Sequence, residues 1–323
     1  MRFSSIRGAA LAVAAVLLAG CGDDSTEATL VLDFVPNAVH TGIYCAQAED
    51  YYADNGLELE IVEPTSTSDT LKLIDQGRAS FGLADAIDVG QQIERGLRAK
   101  AVMAVVQRPL GGVITLGVAG VRAPRDLAGR TVGVTGVPSD DAVLDTVVAG
   151  DGADPRQVDR VTIGFNTVPA LRGGRVDAIT GYPPADGTAL EERGEDVRSF
   201  ALDEWGGPRY PGLVAFSTEE AIERDPGLMR AFVDATVRGY DATLDDPERC
   251  VDALVDEAPE IDRELAEAQL DAFLPLFATR DEEFGVLRPD AFAELSRFLR
   301  RTGLTDEPIP PGRFATDEFV PAR

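Results

Sequence analysis

Few residues in this chain are of a type that does chemistry. There is one histidine, His40, in "DFVPNAVHTGIY", and only two lysines, Lys72 and Lys100. A zinc or iron site needs several ligands at compatible spacing, and one histidine without a cysteine cluster does not supply them. A histidine base needs a nucleophile and an orienting partner. Neither a Gly-x-Ser-x-Gly elbow nor the lysine and glycine spacing of a phosphate loop is present. No catalytic residue, metal or cofactor is therefore expected. The chain does offer groups that hold a small molecule. Phe34 and Asn37 flank Pro36, pairing a ring face with an amide that both donates and accepts. His40 opens the following helix, where it either caps and packs or meets the ligand. "PTSTSD" adds the hydroxyls of Thr65 and Ser66, and "LADAID" adds Asp85 and Asp88. Two acids at one loop mouth favour an amine-bearing or cationic ligand over a bare sulfonate, phosphate or nitrate. Ser139 in "TGVPSDD", Asn166 after "VTIG", Tyr182 after "AITG", and Trp205 and Tyr210 in "DEWGGPRYPG" complete the candidate set.

The elements that must carry these residues alternate strand and helix, the pattern of an α/β sheet. "ATLVLDF" is a strand stopped by Pro36, followed by a helix from Val39 to Asp54 that ends at Asn55-Gly56. "LELEIV" alternates leucine and isoleucine with glutamate, as a strand with one wet face does. Ser68 is a cap candidate for the helix in "SDTLKLIDQG". Strand "SFGLAD", helix "DVGQQIERG" and strand "AKAVMAVVQ" follow. After a break at residues 122–129 the alternation restarts with "RTVGVTG", a helix for which Ser139 is the cap candidate, "DRVTIG", "VDAITG" and "VRSFAL". "RYPGLVAFST" reads as the chain returning to its first sheet. Asp225-Pro226 and Asp246-Pro247 then set a capping acid before a proline at the first helical position. The expectation is two lobes, each a mixed, mostly parallel sheet flanked by helices, with a double-crossing hinge. Residues 28–115 plus 213–323 form lobe 1 and residues 116–212 form lobe 2. Ligands of open α/β sheets bind beyond the carboxyl ends of strands, which places the candidates in a cleft between the lobes. The tail "EPIPPGRFATDEFVPAR" is expected to be irregular and strapped over lobe 1 by Phe314 and Phe319.

Residues 1–20 form a leader: Arg2 and Arg7, an apolar run too short for an ordinary spanning helix, then Leu18-Ala19-Gly20 before Cys21. This stretch resembles a bacterial lipoprotein signal, which implies lipidation of Cys21 and residues 21–27 as a tether. Removing the leader leaves 28 basic and 56 acidic residues, a formal charge of −28 that opposes nucleic-acid binding. Cys45 and Cys250 are the other cysteines, and two buried free thiols are expected rather than a bridge.

The ordered series from "DFVPNAVHTGIY" through "VEPTSTSD" to "FGLAD" resembles the start of solute-binding proteins for thiamine pyrimidine precursors, riboflavin and sulfonates. That superfamily has the type II periplasmic-binding fold and serves ABC importers. The resemblance runs from about Leu30 to Phe277 and implies a monomeric receptor lipid-anchored to the cell membrane, partnered by permease subunits and binding a small heterocycle. A thiamine precursor is implied first, then a flavin or a sulfonate. The chain is also similar to a fungal pyrimidine-forming enzyme over "VEPTSTSDTLKLIDQGRASFGLADAID". That enzyme consumes a histidine and uses a pyridoxal-phosphate lysine and a cysteine cluster. Here the lysine position is Ala84, the histidine position is Asp88, and "YPGLVAFST" has no cysteine. A binding protein is therefore expected, not an enzyme. Its turn at Val137-Pro138-Ser139-Asp140 also departs from a glycine-rich phosphate turn, which argues against a phosphorylated ligand.

Overall fold

The computed structural model describes residues 25–278 and 283–322. The leader, Cys21 and most of the tether lie outside the described residues. Four early strands, β1 (Thr26–Val31), β2 (Leu57–Val62), β3 (Phe81–Asp85) and β4 (Ala99–Ala104), start the first sheet. The chain then leaves to build a second sheet from β5 (Gly112–Leu116), β6 (Thr131–Val134), β7 (Asp159–Thr162), β8 (Ala178–Gly181) and β9 (Val197–Ala201). It comes back as β10 (Leu213–Thr218), which inserts between β3 and β4. The sheet orders are β2-β1-β3-β10-β4 and β7-β6-β8-β5-β9. In each sheet, the antiparallel member is the strand that carries the chain out of or into the hinge. β5 pairs along its whole length with β9 and from Gly112 to Thr115 with β8, so the second sheet already holds the chain at Gly112. The expected boundary after residue 115 cuts through this strand.

Helices α1 (Thr41–Ala48), α2 (Tyr51–Asp54), α3 (Thr67–Asp75) and α4 (Ala86–Glu94) link the first strands. The single helix expected from Val39 to Asp54 is broken, because Asp50 adopts a left-handed backbone with φ of 58° between α1 and α2. Ser66, not Ser68, occupies the cap position of α3. In lobe 2, α5 (Pro138–Gly150), α6 (Thr167–Arg172) and α7 (Thr188–Glu191) cross between strands, with a π-helical turn at Pro183–Gly187 ahead of α7. The chain ends in α8 (Glu219–Arg224), α9 (Pro226–Asp245), α10 (Pro247–Glu257), α11 (Arg263–Phe277), α12 (Pro289–Arg301) and α13 (Pro311–Phe314). Asp225 and Asp246 cap α9 and α10 as their Asp-Pro pairs imply, accepting from the Leu228 and Arg249 amides.

One core packs the first sheet against α1 and α9–α11 through Phe81, Phe232 and Tyr240. A second fills the opposite face with Phe292, Phe298 and Phe314, and continues into lobe 2 through Leu144 and Val148 of α5. Apart from α13 and one bridge from Ala315 to Ala101 of β4, the tail is irregular and strapped over lobe 1 as expected, with Phe314 and Phe319 buried. Cys45 of α1 and Cys250 of α10 form a disulfide, so the expectation of two free thiols is corrected. The two helices pack side by side and bring the Cα atoms to 4.9 Å, within reach of a bridge.

Two chain segments, 105–111 and 202–212, connect the lobes. They pair through Val105 N–H to Leu213 O at 2.8 Å, Gly212 N–H to Val106 O at 3.0 Å and Leu202 N–H to Gly111 O at 3.0 Å. A side chain at Gly212 would come within 2.9 Å of the Leu110 nitrogen, so this close crossing requires glycine.

Candidate ligand-binding cleft

The carboxyl ends of β1, β3, β6 and β8 all open into one cavity of about 550 Å³ between the lobes. On the lobe 1 side the turn after β1 sets the geometry. Asn37 Oδ1 accepts the Val39 N–H at 3.0 Å and its Nδ2 donates to Val35 O at 3.0 Å. Asn37 thus faces the cavity with much of its amide already committed to its own turn. His40 is fully buried and does not line the cavity. Its Nδ1 accepts the Asn37 N–H at 3.2 Å, which requires the proton on Nε2, and Nε2 then donates to Asp33 Oδ1 at 2.8 Å. The histidine is a brace: it locks the Pro-Asn turn and fixes the rotamer of Asp33, which does line the cavity.

Asp85 ends β3 and caps α4 by accepting the Ile87 N–H at 2.8 Å. Asp88, one turn on, reaches across to lobe 2, accepting from Ser139 Oγ at 2.8 Å and the Ser139 N–H at 3.3 Å. Ser139 is therefore a contact between lobes rather than the cap of α5. Val137 holds the cap position, and Asp140 reaches back to the Gly136 and Val137 amides. Two further contacts tie the lobes. The rings of Phe34 and Phe165 meet with centroids 4.2 Å apart, and Gln269 of α11 donates to the Ala185 carbonyl at 2.9 Å.

The cavity is acidic. Asp33, Asp85, Asp88, Asp140 and Asp186 line it, and the basic member of the lining, Arg193, donates to the Ala189 carbonyl beside it. Burial pushes Asp85 well above the usual carboxyl range, and the neighbouring Asp88 pushes it further. Burial likewise raises Asp88 to about 7 against the opposing Ser139 hydrogen bonds. Burial raises Asp140 and Asp186 too, although hydroxyl and amide donors oppose the shift at each. Tyr182 and Tyr210 are driven up by burial and by the charges of Asp85 and Asp88.

Of the candidates read from sequence, Phe34, Asn37, Asp85, Ser139 and Tyr182 meet in this cavity. Others lie elsewhere. Thr65 bonds Asp69 at the surface, and Ser66 pairs with Ser68 Oγ at 3.3 Å. Asn166 turns back to the Ile163 carbonyl at 3.4 Å, while its neighbours Phe165 and Thr167 enter the cavity. Trp205 packs edge-on against Phe200 within lobe 2. Tyr210 is buried behind the cleft in the core that joins the lobes, its hydroxyl without a partner among the described residues. The sequence reading missed Phe165, Asp140, Thr180 and Asp186 as wall residues. The π-helical turn that supplies Asp186 has a weak signal in Pro183-Pro184.

Two lobes of matching topology with a cleft at their strand ends define a solute-binding protein of the type II periplasmic fold. The family model described as NMT1/THI5 like matches residues 37–250, and the chain belongs to that family. It is 30% identical to the formylaminopyrimidine-binding protein of Halalkalibacterium halodurans, over 93% of this chain and 94% of the relative. It is 24% identical to the 4-amino-5-hydroxymethyl-2-methylpyrimidine phosphate synthase of Legionella pneumophila, over 92% of this chain and 93% of that one. Among solved structures, the alkanesulfonate-binding protein SsuA of Xanthomonas axonopodis pv. citri superposes with a TM-score of 0.69 at 14% identity, covering 88% of this chain and 96% of that one. The chain thus combines the fold of periplasmic solute-binding proteins with a cavity between its lobes of a size for a small molecule. Its fold is shared with binding proteins such as SsuA, and no group of three metal-ligating side chains is assembled among the described residues.

Proposed function

We propose that this protein is a lipid-anchored receptor that captures an amine-bearing heterocycle of the thiamine-pyrimidine-precursor type and hands it to the permease of an ABC importer. The acid-lined, aromatic-gated cavity carries the reading. Six aspartates line a space of about 550 Å³ against a single basic residue, the exposed Arg193, which suits an aminopyrimidine and disfavours a sulfonate. The formylaminopyrimidine-binding relative supports the same ligand class. The Leu18-Ala19-Gly20-Cys21 stretch supports the anchor, and the Cys45–Cys250 bridge suits an oxidising compartment. Ligand closes the lobes about residues 105–111 and 202–212 by making contacts with both, which is the differential binding that closure requires. The cavity volume favours a flavin as the second reading.

Native mass spectrometry of protein purified without refolding tests the ligand class directly. A co-purifying aminopyrimidine is the expected result, and an aliphatic sulfonate overturns the reading. Replacing Phe34 by alanine is expected to weaken binding of that ligand by about 1–2 kcal/mol in calorimetry, through lost ring contact.

A further inference from the structure

Glu63, Glu260 and Asp262 of the cleft lining are exposed, and its five remaining carboxyl groups are not equivalent. Asp140 has both oxygens engaged by its own lobe, Oδ1 by Thr180 Oγ1 and Oδ2 by Thr135 Oγ1 and the Gly136 amide. Asp186 is filled in the same way by Thr167 Oγ1 and the Tyr182 amide. Asp88 has both oxygens on Ser139. Asp33 and Asp85 differ: each commits Oδ1, to His40 Nε2 and to the Ile87 amide respectively. Their Oδ2 atoms receive no hydrogen bond from the described residues, although both side chains are more than nine-tenths buried and line the cavity. They leave the ends of adjacent parallel strands, where Leu30 pairs with Phe81 and Val31 with Gly82.

We propose that the cleft takes its ligand as a cation, held by N–H groups between Asp33 Oδ2 and Asp85 Oδ2, and that Asp85 releases a proton to solvent as the ligand enters. The inference rests on the cleft being the solute site and narrows the solute to an ammonium or a protonated amino-heterocycle. What faces Asp85 from each packed element is neutral or acidic: Asp33 beyond β1, Asp88 on α4, Asp140 on α5, Tyr182 beyond β8 and Tyr210 in the hinge. The nearest base of the lining, Arg193, is exposed and turned to the Ala189 carbonyl. In the empty cleft, burial and the Asp88 charge therefore keep the Asp85 carboxyl protonated well above its ordinary range. An entering cation reverses that preference, and the proton leaves. Affinity rises with pH until the ligand loses its own proton.

The test is titration calorimetry at neutral pH in buffers of different ionisation enthalpy. The probes are an aminopyrimidine bearing an aminomethyl arm and its neutral hydroxymethyl counterpart. The aminomethyl compound is expected to bind about tenfold tighter or more, with release of close to one proton. Asp85→Asn keeps an oxygen for the Ile87 amide and is expected to abolish both the preference and the release while melting like the wild type. Equal affinities, or no proton release in the wild-type protein, overturn the proposal without requiring any variant. If neither pyrimidine binds, the ligand reading of the previous section fails. The charge proposal is then decided by benzylamine against benzyl alcohol, where preference for the amine supports it and indifference overturns it.

Discussion

The two walls of the cleft share one strand order but are built by different means. Lobe 1 presents its acids from strand ends braced from behind, Asp33 by His40 and Asp85 by the α4 amides, and a disulfide joins α1 to α10 of the helical belt around it. Lobe 2 presents loops whose acids are already filled by their own threonines and amides, beside the apolar Phe165 and Val168. The difference assigns tasks. A carboxylate oxygen left unpaired in a rigid wall reads charge, whereas a wall whose polar groups are satisfied supplies cover and shape.

The strongest way to break this comparison is to unstaple lobe 1. Replacing Cys45 and Cys250 together by alanine removes a bridge across 205 residues of chain. The cost is expected to be about 3–5 kcal/mol, read as a fall in melting temperature, with ligand affinity retained. Unchanged melting would show that the helical belt holds without its covalent tie.

A second test uses pH on the unliganded protein. Burial raises the folded-state values of Asp85, Asp88, Asp140 and Asp186. The folded protein therefore holds more protons than the unfolded chain from the ordinary carboxyl range up to about 7 for Asp88. The stability this contributes is fully present below that range and is lost as pH rises through it. Melting temperature is expected to climb by several degrees on acidification from mildly alkaline to mildly acidic buffer. A flat profile would mean the acids are charged in the empty cleft.

His40→Gln sharpens the comparison further, because it removes the brace and leaves Asp33 in place. A loss of about 2–3 kcal/mol in stability is expected from the buried imidazole hydrogen bonds, together with weaker ligand binding. Normal binding in a destabilised variant would show that Asp33 needs no brace. The smallest effect belongs to Ser139→Ala, which frees Asp88 from lobe 2. About 1 kcal/mol of the closed state is expected to be lost, read by small-angle scattering as a larger mean radius without ligand.

The strand-helix alternation of both lobes was legible because apolar runs and glycine exits mark each element, and the Asp-Pro caps of α9 and α10 were legible because that pair has one good use. The left-handed Asp50 was not, since a non-glycine residue carries no signal for it. Helix α12 went unassigned although Phe292, Leu295 and Leu299 recur at helical spacing and are buried. At the site, sequence placed several of the lining loops at the cleft but not always the right residue in them, and two segments it chose, at 64–69 and 203–212, do not line it. Asn166 was chosen for its place after "VTIG", yet it is its neighbour Phe165 that lines the cavity. Trp205 and Tyr210 were read as ligand-facing aromatics, but their segment packs into the core that joins the lobes. Which of two adjacent loop residues faces a cavity is decided by the opposite lobe, and local pattern does not contain it. Whether Cys45 meets Cys250 is decided in the same way, by helices distant in sequence.

The seat of β10 between β3 and β4 makes the two sheets unequal in how much chain each needs. The second sheet is contiguous, from Gly112 to Ala201, and can assemble as soon as that stretch is free. The first sheet stays split, with β4 joined to nothing in it, until residues 213–218 arrive from beyond the whole of lobe 2. The lobe that starts the chain therefore takes its completing strand from beyond the inserted lobe, and β4 has no neighbour in its sheet without it.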